Sequence, residues 1–218
     1  MQAPELKAFM TELILIRHGE TEWNAEGRIQ GHTDIPLNAT GLAQARAVGE
    51  RFRVEHVDAI VSSDLQRAMQ TAQPIAQSRS LVTGPEPALR ERHLGVLQGL
   101  TGDEARERAA QAWRTFKSRT PAQPLPEGES LADFAARAVA ALKAIALRYT
   151  GQRIAVVTHG GVLDAAYREA AGMPLDAPRD FPVFNASVNT LSVTDGRFRV
   201  VRWADVSHLP SELAMDDD

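Results

Sequence analysis

Three short apolar, β-favouring runs limit what this chain can fold into: Leu13–Ile16, Val57–Val61 and Ile154–Thr158. A strand with one wet face alternates apolar and polar residues, whereas a near-continuous apolar run marks a strand covered on both faces. Each run is followed by a helical pattern. Asn38-Ala39-Thr40-Gly41 opens a helix to about Phe52, with Leu42, Ala45, Val48, Gly49 and Phe52 on one face. Leu65–Gln77 reads as a second helix capped by Ser63 or Asp64, and Gly160-Gly161 starts another that ends near Ala171. Strand–helix alternation of this kind predicts an α/β fold, a three-layer αβα sandwich around a mainly parallel sheet.

The remaining stretches fit that frame. Leu81–Thr83 reads as a further strand, Leu89–Leu100 as a structured loop, and Gly102–Lys117 as helical. The Pro-rich stretch Thr120–Glu129 is an exposed connection. A long amphipathic helix runs from Ser130 to about Tyr149, and its Ala-rich stripe Leu131–Leu147 is a core-facing surface. Ser187–Val193 and Phe198–Val206 flank Asp195-Gly196, a strong hairpin signal that supplies one antiparallel edge strand.

The 218 residues suit one domain, placed at 12–207, with an extension at 1–11 and an acidic tail at 208–218 ending in three aspartates. The absence of cysteine removes disulfides, thiolate catalysis and cysteine-held metals. A net charge of −4 argues against nucleic acid as a partner. No apolar stretch approaches the roughly 20 residues of a membrane span, and residues 1–11 lack the apolar run of a signal peptide. These features predict a cytoplasmic protein.

Polar residues cluster where the apolar runs stop. Arg17-His18-Gly19 directly follows Leu13–Ile16, and Thr158-His159-Gly160 ends the run from Ile154. The carboxyl edge of a parallel sheet is where ligands bind. Arg67 falls in the first turn of the helix after the Val57–Val61 strand, and Glu91 in the glycine-containing loop, so five side chains can converge. Their chemistry suits phosphoryl transfer. A neutral imidazole attacks phosphorus and forms a covalent intermediate. Two guanidiniums match the phosphate oxygens, with Asn24, a second imidazole and helix N–H groups as further donors. Glu91 is placed to protonate the leaving oxygen and later to deprotonate water.

The same residues carry a resemblance. Leu15-Ile16-Arg17-His18-Gly19-Glu20-Thr21-Glu22-Trp23-Asn24 is similar to the signature of the histidine phosphatase superfamily, the phosphoglycerate-mutase-like branch 1. The similarity continues in order through Gly27-Arg28-Ile29-Gln30-Gly31, Asp34–Asn38, Ser62–Ala68, Glu91–Gly95 with Leu97-Gln98-Gly99, Pro126–Ser130 and Thr158–Gly161. The resemblance implies a phosphoglycerate-mutase-like fold. It implies His18 as the phosphorylated nucleophile; Arg17, Arg67 and His159, assisted by Asn24, as phosphoryl ligands; and Glu91 as proton donor and acceptor. Arg28, Gln30 and Gly31 match a loop that shapes the substrate mouth in relatives, and Thr21 and Gly160 complete the expected binding set. Among the other histidines, His32 and His93 read as loop residues, His93 bordering the pocket, and His56 and His208 as surface residues.

Within that family the chain reads as a metal-independent phosphatase of small phosphorylated metabolites. The alternative is a mutase, which would need 2,3-bisphosphoglycerate as cofactor. Gln98-Gly99 and Gln111-Ala112-Trp113-Arg114 resemble the mutases. Against them stand Leu94, where mutases typically carry tyrosine, and Thr115, where a second arginine is typical. The short chain points the same way. A non-catalytic phospho-ligand scaffold and a metal-dependent hydrolase are weaker alternatives, because all five core residues are present and no carboxylate-rich ligand set lies near the histidines. Relatives are often homodimers, which allows one here.

Overall fold

The structure, a computed structural model, describes residues 10–213, so the first nine residues and the terminal aspartates lie outside it. A six-stranded sheet runs in the order β3-β2-β4-β1-β5-β6. β1 (Thr11–Arg17), β4 (Arg153–Thr158), β2 (Ala59–Ser62) and β3 (Thr83–Pro85) are parallel. β3 thus lies two residues beyond the expected Leu81–Thr83 strand. β5 (Val188–Thr194) pairs antiparallel with β1, and β6 (Arg197–Asp205) pairs antiparallel with β5, so the antiparallel edge is a hairpin of two strands. Its turn residues Asp195 and Gly196 have φ of 50° and 72°, the left-handed pair that a tight type I′ turn requires.

Both faces of the sheet are covered, as the unbroken apolar runs require. Leu13, Leu15, Ile154 and Val156 point to α6 (Leu131–Arg148) and α7 (Gly160–Ala171), meeting Phe134, Ala138, Leu142, Val162 and Ala166. Their sequence neighbours Ile14, Ile16, Ala155 and Val157 point the other way, to Val48 and Phe52 of α2 (Ala39–Val54) and Ala68 and Ile75 of α3 (Gln66–Arg79). Each fully buried Leu, Ile or Phe contributes roughly 1.5–3 kcal/mol, so the four apolar residues of β1 tie the two helical layers to one strand.

Local caps explain most element starts. Asn38 accepts from Gly41 N at 2.8 Å and Ser130 from Asp133 N at 3.0 Å. α3 differs: Leu65 is its N-cap, with no side-chain bond. Asp64 is instead held by Arg90 at 2.7 and 2.6 Å, and Ser63 is engaged by His159. On α2, Leu42 is exposed and Gln44 is buried in its stead, because Gln44 accepts from Glu20 N at 2.8 Å and donates to Leu213 O at 2.8 Å.

After the short α1 (Glu22–Ala25), the expected Gly102–Lys117 helix is two, α4 (Gly102–Arg108) and α5 (Ala110–Ser118), broken at Ala109 with φ −140°. They build a separate small core of Leu94, Leu97, Ala105, Ala112 and Leu125. Residues 208–213, expected as part of a tail, pack onto α2, where Leu209 joins its core. His208 is half-buried there rather than on the surface, and burial beside Arg51 pushes its pKa down to about 4. Among the described residues no helix is long and apolar enough to cross a membrane.

Candidate active site

Sheet order fixes where the site forms. β2 follows β1 in sequence, but β4 lies between them, which opens a crevice at the carboxyl ends of these strands. The register pairs Arg17 with Thr158, and His18 N extends the ladder to Thr158 O at 2.9 Å. The next residue on each strand is a histidine, so the rings of His18 and His159 are brought to 5.2 Å between centroids.

His18 is buried, and its Nδ1 lies 2.7 Å from Gly19 O. A carbonyl only accepts, so Nδ1 carries the proton and Nε2 keeps its lone pair. Burial first, then the Arg67 and Arg17 charges, hold the His18 pKa well below the ordinary histidine value, and the ring is neutral at pH 7. The turn beneath it is tied down by Gly19 N donating to Thr71 Oγ1 at 3.0 Å, and by Asn185 Nδ2 donating to His18 O at 3.0 Å. Gly41 permits this turn, since a Cβ there would lie 2.0 Å from Glu20 O.

His159 is fully buried beside His18 rather than on the cavity wall. Its Nε2 is 2.8 Å from Ser63 Oγ, while Nδ1 is buried without a hydrogen-bond partner. Ser63 Oγ also accepts from Leu65 N at 3.4 Å, which ties the hydroxyl that holds His159 to the start of α3. Burial and the Arg67 charge lower the His159 pKa as well.

Arg67, at the start of α3, is fully buried and donates to Thr33 O at 2.9 Å and Gly31 O at 2.8 Å, which leaves Nε without a partner. Desolvation lowers its pKa to about 10, and it remains a cation at neutral pH. Arg17 is anchored by Nη1 donating to Val183 O. Glu91 is held through both oxygens: Oε2 accepts from Gly161 N at 2.9 Å and Oε1 from Arg92 N at 2.8 Å. Gly161 is required here, because a Cβ would come within 2.1 Å of Glu91 Oε1.

These groups face a cavity of about 510 Å³. Of the residues singled out in the sequence, Arg17, His18, Asn24, Arg28, Gln30, Gly31, Arg67 and Glu91 line it. Thr21 does not: it caps α1, accepting from Asn24 N at 3.1 Å and donating to Asn24 Oδ1 at 3.0 Å, so it orients Asn24. Gly160 begins α7 against the Arg17 side chain. His93 is off the wall, edge-on to His32, whose Nε2 is 2.7 Å from Glu91 O. Arg28 is braced by Glu26 at 2.6 Å and Glu104 at 2.8 Å.

Sequence reasoning missed several groups. Ser63 directly follows β2 at the same sheet edge, a position the strand-end rule could have flagged had it not been read as a helix cap. Phe116, Lys117, Arg119, Asp164 and Arg179 also line the cavity, and no motif marks them; Arg92 lines it too, inside the Glu91–Gly95 motif but not singled out there. Among the described residues no group of three or more His, Cys, Asp or Glu is placed to hold a metal ion.

The arrangement can hold a tetrahedral dianion against a neutral imidazole. Comparison with known proteins agrees, for the family model of the histidine phosphatase superfamily (branch 1) matches residues 13–206. The chain belongs to this superfamily. Among relatives of this histidine phosphatase domain, a metal-independent phosphoserine phosphatase from Arabidopsis thaliana is 42% identical over 210 residues, covering 95% of this chain and 87% of the relative. Phosphoglycerate mutase-like protein 4 of the same plant is 42% identical over 202 residues, covering 91% and 86%. Among solved structures, a mutant phosphoserine phosphatase from Entamoeba histolytica in complex with phosphoserine superposes with a TM-score of 0.82 at 28% identity, covering 92% of this chain and all (100%) of that one.

Proposed function

We propose that this chain is a metal-independent phosphatase of small phosphomonoesters that works through a phosphohistidine on His18. One observation carries the reading: the Gly19 carbonyl pins the Nδ1 proton of a buried, neutral His18, leaving Nε2 as nucleophile on a wall shared with Arg17, Arg67 and Glu91. Nε2 attacks phosphorus in line, and the P–O bond to the leaving group breaks. Glu91 delivers a proton to the departing alkoxide. Arg17, Arg67 and Asn24, on the cavity wall, take up charge on the equatorial oxygens, the work a cation does in other phosphoryl-transfer sites, while buried His159 packs against the His18 ring and braces the nucleophile. Water then attacks the phosphohistidine, Glu91 takes its proton, and inorganic phosphate and free His18 are restored.

Phosphatase rather than mutase is favoured by the wall near α5. Arg114 is exposed and off the cavity, Thr115 is buried, and apolar Leu94 lines the pocket in place of a tyrosine hydroxyl. A firm carboxylate clamp for turning a bisphosphate intermediate in place is therefore missing at those positions. The relatives named for phosphoserine support a small phosphorylated acid as substrate. The test measures phosphate release from phosphoserine, 3-phosphoglycerate and p-nitrophenyl phosphate in EDTA, with and without 2,3-bisphosphoglycerate. Release without the cofactor is expected. Isomerisation of 3-phosphoglycerate greatly exceeding release would overturn the reading in favour of the mutase.

A further inference from the structure

Away from the phosphate end, the cavity wall contains a carboxylate with a half-used bonding capacity. Asp164, on α7, has a side chain only 9% exposed. Its Oδ2 takes both neighbouring guanidiniums, Arg119 Nη2 at 2.7 Å and Arg168 Nε at 2.9 Å. Its Oδ1 is buried and has no hydrogen-bond partner. A carboxylate kept only to bridge two arginines gains by sharing them between its oxygens, and a buried acceptor left unsatisfied is costly. The residue lines the same cavity as His18 and Glu91.

Its position along α7 gives the orphan oxygen a meaning. Gly161, whose N–H holds Glu91, is three residues earlier and so on the same helix face. Three residues rise about 4.5 Å, close to the length of a two- or three-carbon skeleton extending from the ester oxygen that Glu91 protonates. The surroundings are cationic. Arg92 is buried, with Nε and Nη2 both donating to Glu129 O, and Arg179 borders the cavity.

Within the phosphatase reading, on which this rests, we infer that Asp164 is a specificity-determining residue: its Oδ1 accepts a hydrogen bond from a hydroxyl or ammonium group on the substrate's carbon skeleton, beside an anionic group drawn to the surrounding arginines. The substrate class is a short phosphorylated acid with a donor on the carbon next to its carboxylate. A hydroxyl and an ammonium offer the same donor chemistry, and the experiment separates them.

Three compounds differ at one carbon only: phosphoserine carries the ammonium, 3-phosphoglycerate the hydroxyl, and 3-phosphooxypropionate neither. In the wild-type protein, kcat/KM for at least one donor-bearing compound should exceed that for 3-phosphooxypropionate by about tenfold to a hundredfold, the cost of stranding a buried polar group. Whichever donor compound is faster names the donor. Asp164→Asn keeps the shape, but its carbonyl must face Arg119 and Arg168, which puts an Nδ2 donor where the unpartnered Oδ1 acceptor now sits. That variant should lose the preference: kcat/KM for the favoured donor-bearing compound should fall more than kcat/KM for 3-phosphooxypropionate or p-nitrophenyl phosphate, until the three acids are turned over alike. Equal wild-type turnover of the three acids, or an equal loss on every substrate in Asp164→Asn, would overturn the assignment. If no compound releases phosphate, including p-nitrophenyl phosphate, the phosphatase reading has failed. Calorimetric binding of the three acids to His18→Ala then decides the Asp164 assignment by the same ranking, a flat ranking rejecting it.

Discussion

His18 and His159 meet because two parallel strands in register, β1 and β4, each place a histidine one residue past their final ladder pair, with ring centroids 5.2 Å apart. Both rings are buried next to Arg67, and both are held neutral by desolvation and by that cation. An ordinary histidine titrates near 6.5. The folded protein therefore binds fewer protons at these two positions than the unfolded chain does as pH falls below that value.

The sign of the pH effect follows. Stability from keeping these rings neutral is fully present above about pH 6.5. It is lost progressively as pH falls from there toward the depressed folded values. Thermal unfolding followed by circular dichroism should show Tm falling between about pH 7 and pH 5. The slope should be shallower in His159→Gln, which removes one of the two groups. A Tm that stays flat or rises on acidification over this range would contradict the neutral pair.

Arg67 gives a sharper test. Each of its terminal nitrogens gives one N–H to a carbonyl of the Gly31–Thr33 loop, and the remaining N–H bonds of the fork, that of Nε among them, are what the proposed phosphoryl contact would use. Lysine supplies one point charge and cannot span both carbonyls while also meeting an oxyanion. Arg67→Lys should lower kcat/KM for p-nitrophenyl phosphate by about 10²–10³, the scale of losing one preorganised donor. A fall of less than threefold would remove Arg67 from the transition state.

Much of this site was legible in the sequence because strand ends are legible. The runs Leu13–Ile16 and Ile154–Val157 could only be strands covered on both sides, so Arg17, His18 and His159 had to emerge at the sheet's carboxyl edge. The motif around Arg67 and Glu91 then placed the loops. What stayed hidden was set by tertiary choice. Ser63 looked like a helix cap, yet its hydroxyl is claimed by His159, and α3 goes uncapped. Leu42 looked apolar enough for the core, but Gln44 bonds Glu20 and Leu213 and takes the buried face. Asp164 and Arg119 are 45 residues apart, and no local pattern announces their ion pair.

Ser63 should accordingly act through His159. Ser63→Ala removes the hydroxyl that holds His159 in place and leaves Nε2 buried without a partner. The expected result is a kcat lowered by about tenfold with little change in KM, since an orienting bond worth about 1–2 kcal/mol is lost. Ser63→Thr, which keeps the hydroxyl, should recover most of that loss. Equal loss in both variants would point to packing rather than orientation.

Glu91 separates the chemical steps. As proton donor it matters in proportion to the basicity of the leaving oxygen: an alkoxide needs its proton, whereas p-nitrophenolate departs without one. Glu91→Gln preserves the shape, and its carboxamide oxygen can still accept from Gly161 N or Arg92 N, the two donors that now hold the carboxylate. The other of these N–H groups then faces the carboxamide NH₂, so the variant should fold with a lowered Tm and still bind substrate. Its kcat for an alkyl phosphomonoester should fall by about 10²–10⁴, while formation of the phosphoenzyme from p-nitrophenyl phosphate, read as a burst of p-nitrophenolate in rapid-quench kinetics, should slow far less. Because the same carboxylate activates water in the second half, steady turnover of both substrates should then be limited by hydrolysis, and acid-labile phosphate on His18 should accumulate. A variant in which burst rate and alkyl ester turnover fall equally, with no phosphoenzyme trapped, would assign Glu91 to binding and leave the proton donor to be found elsewhere on the wall.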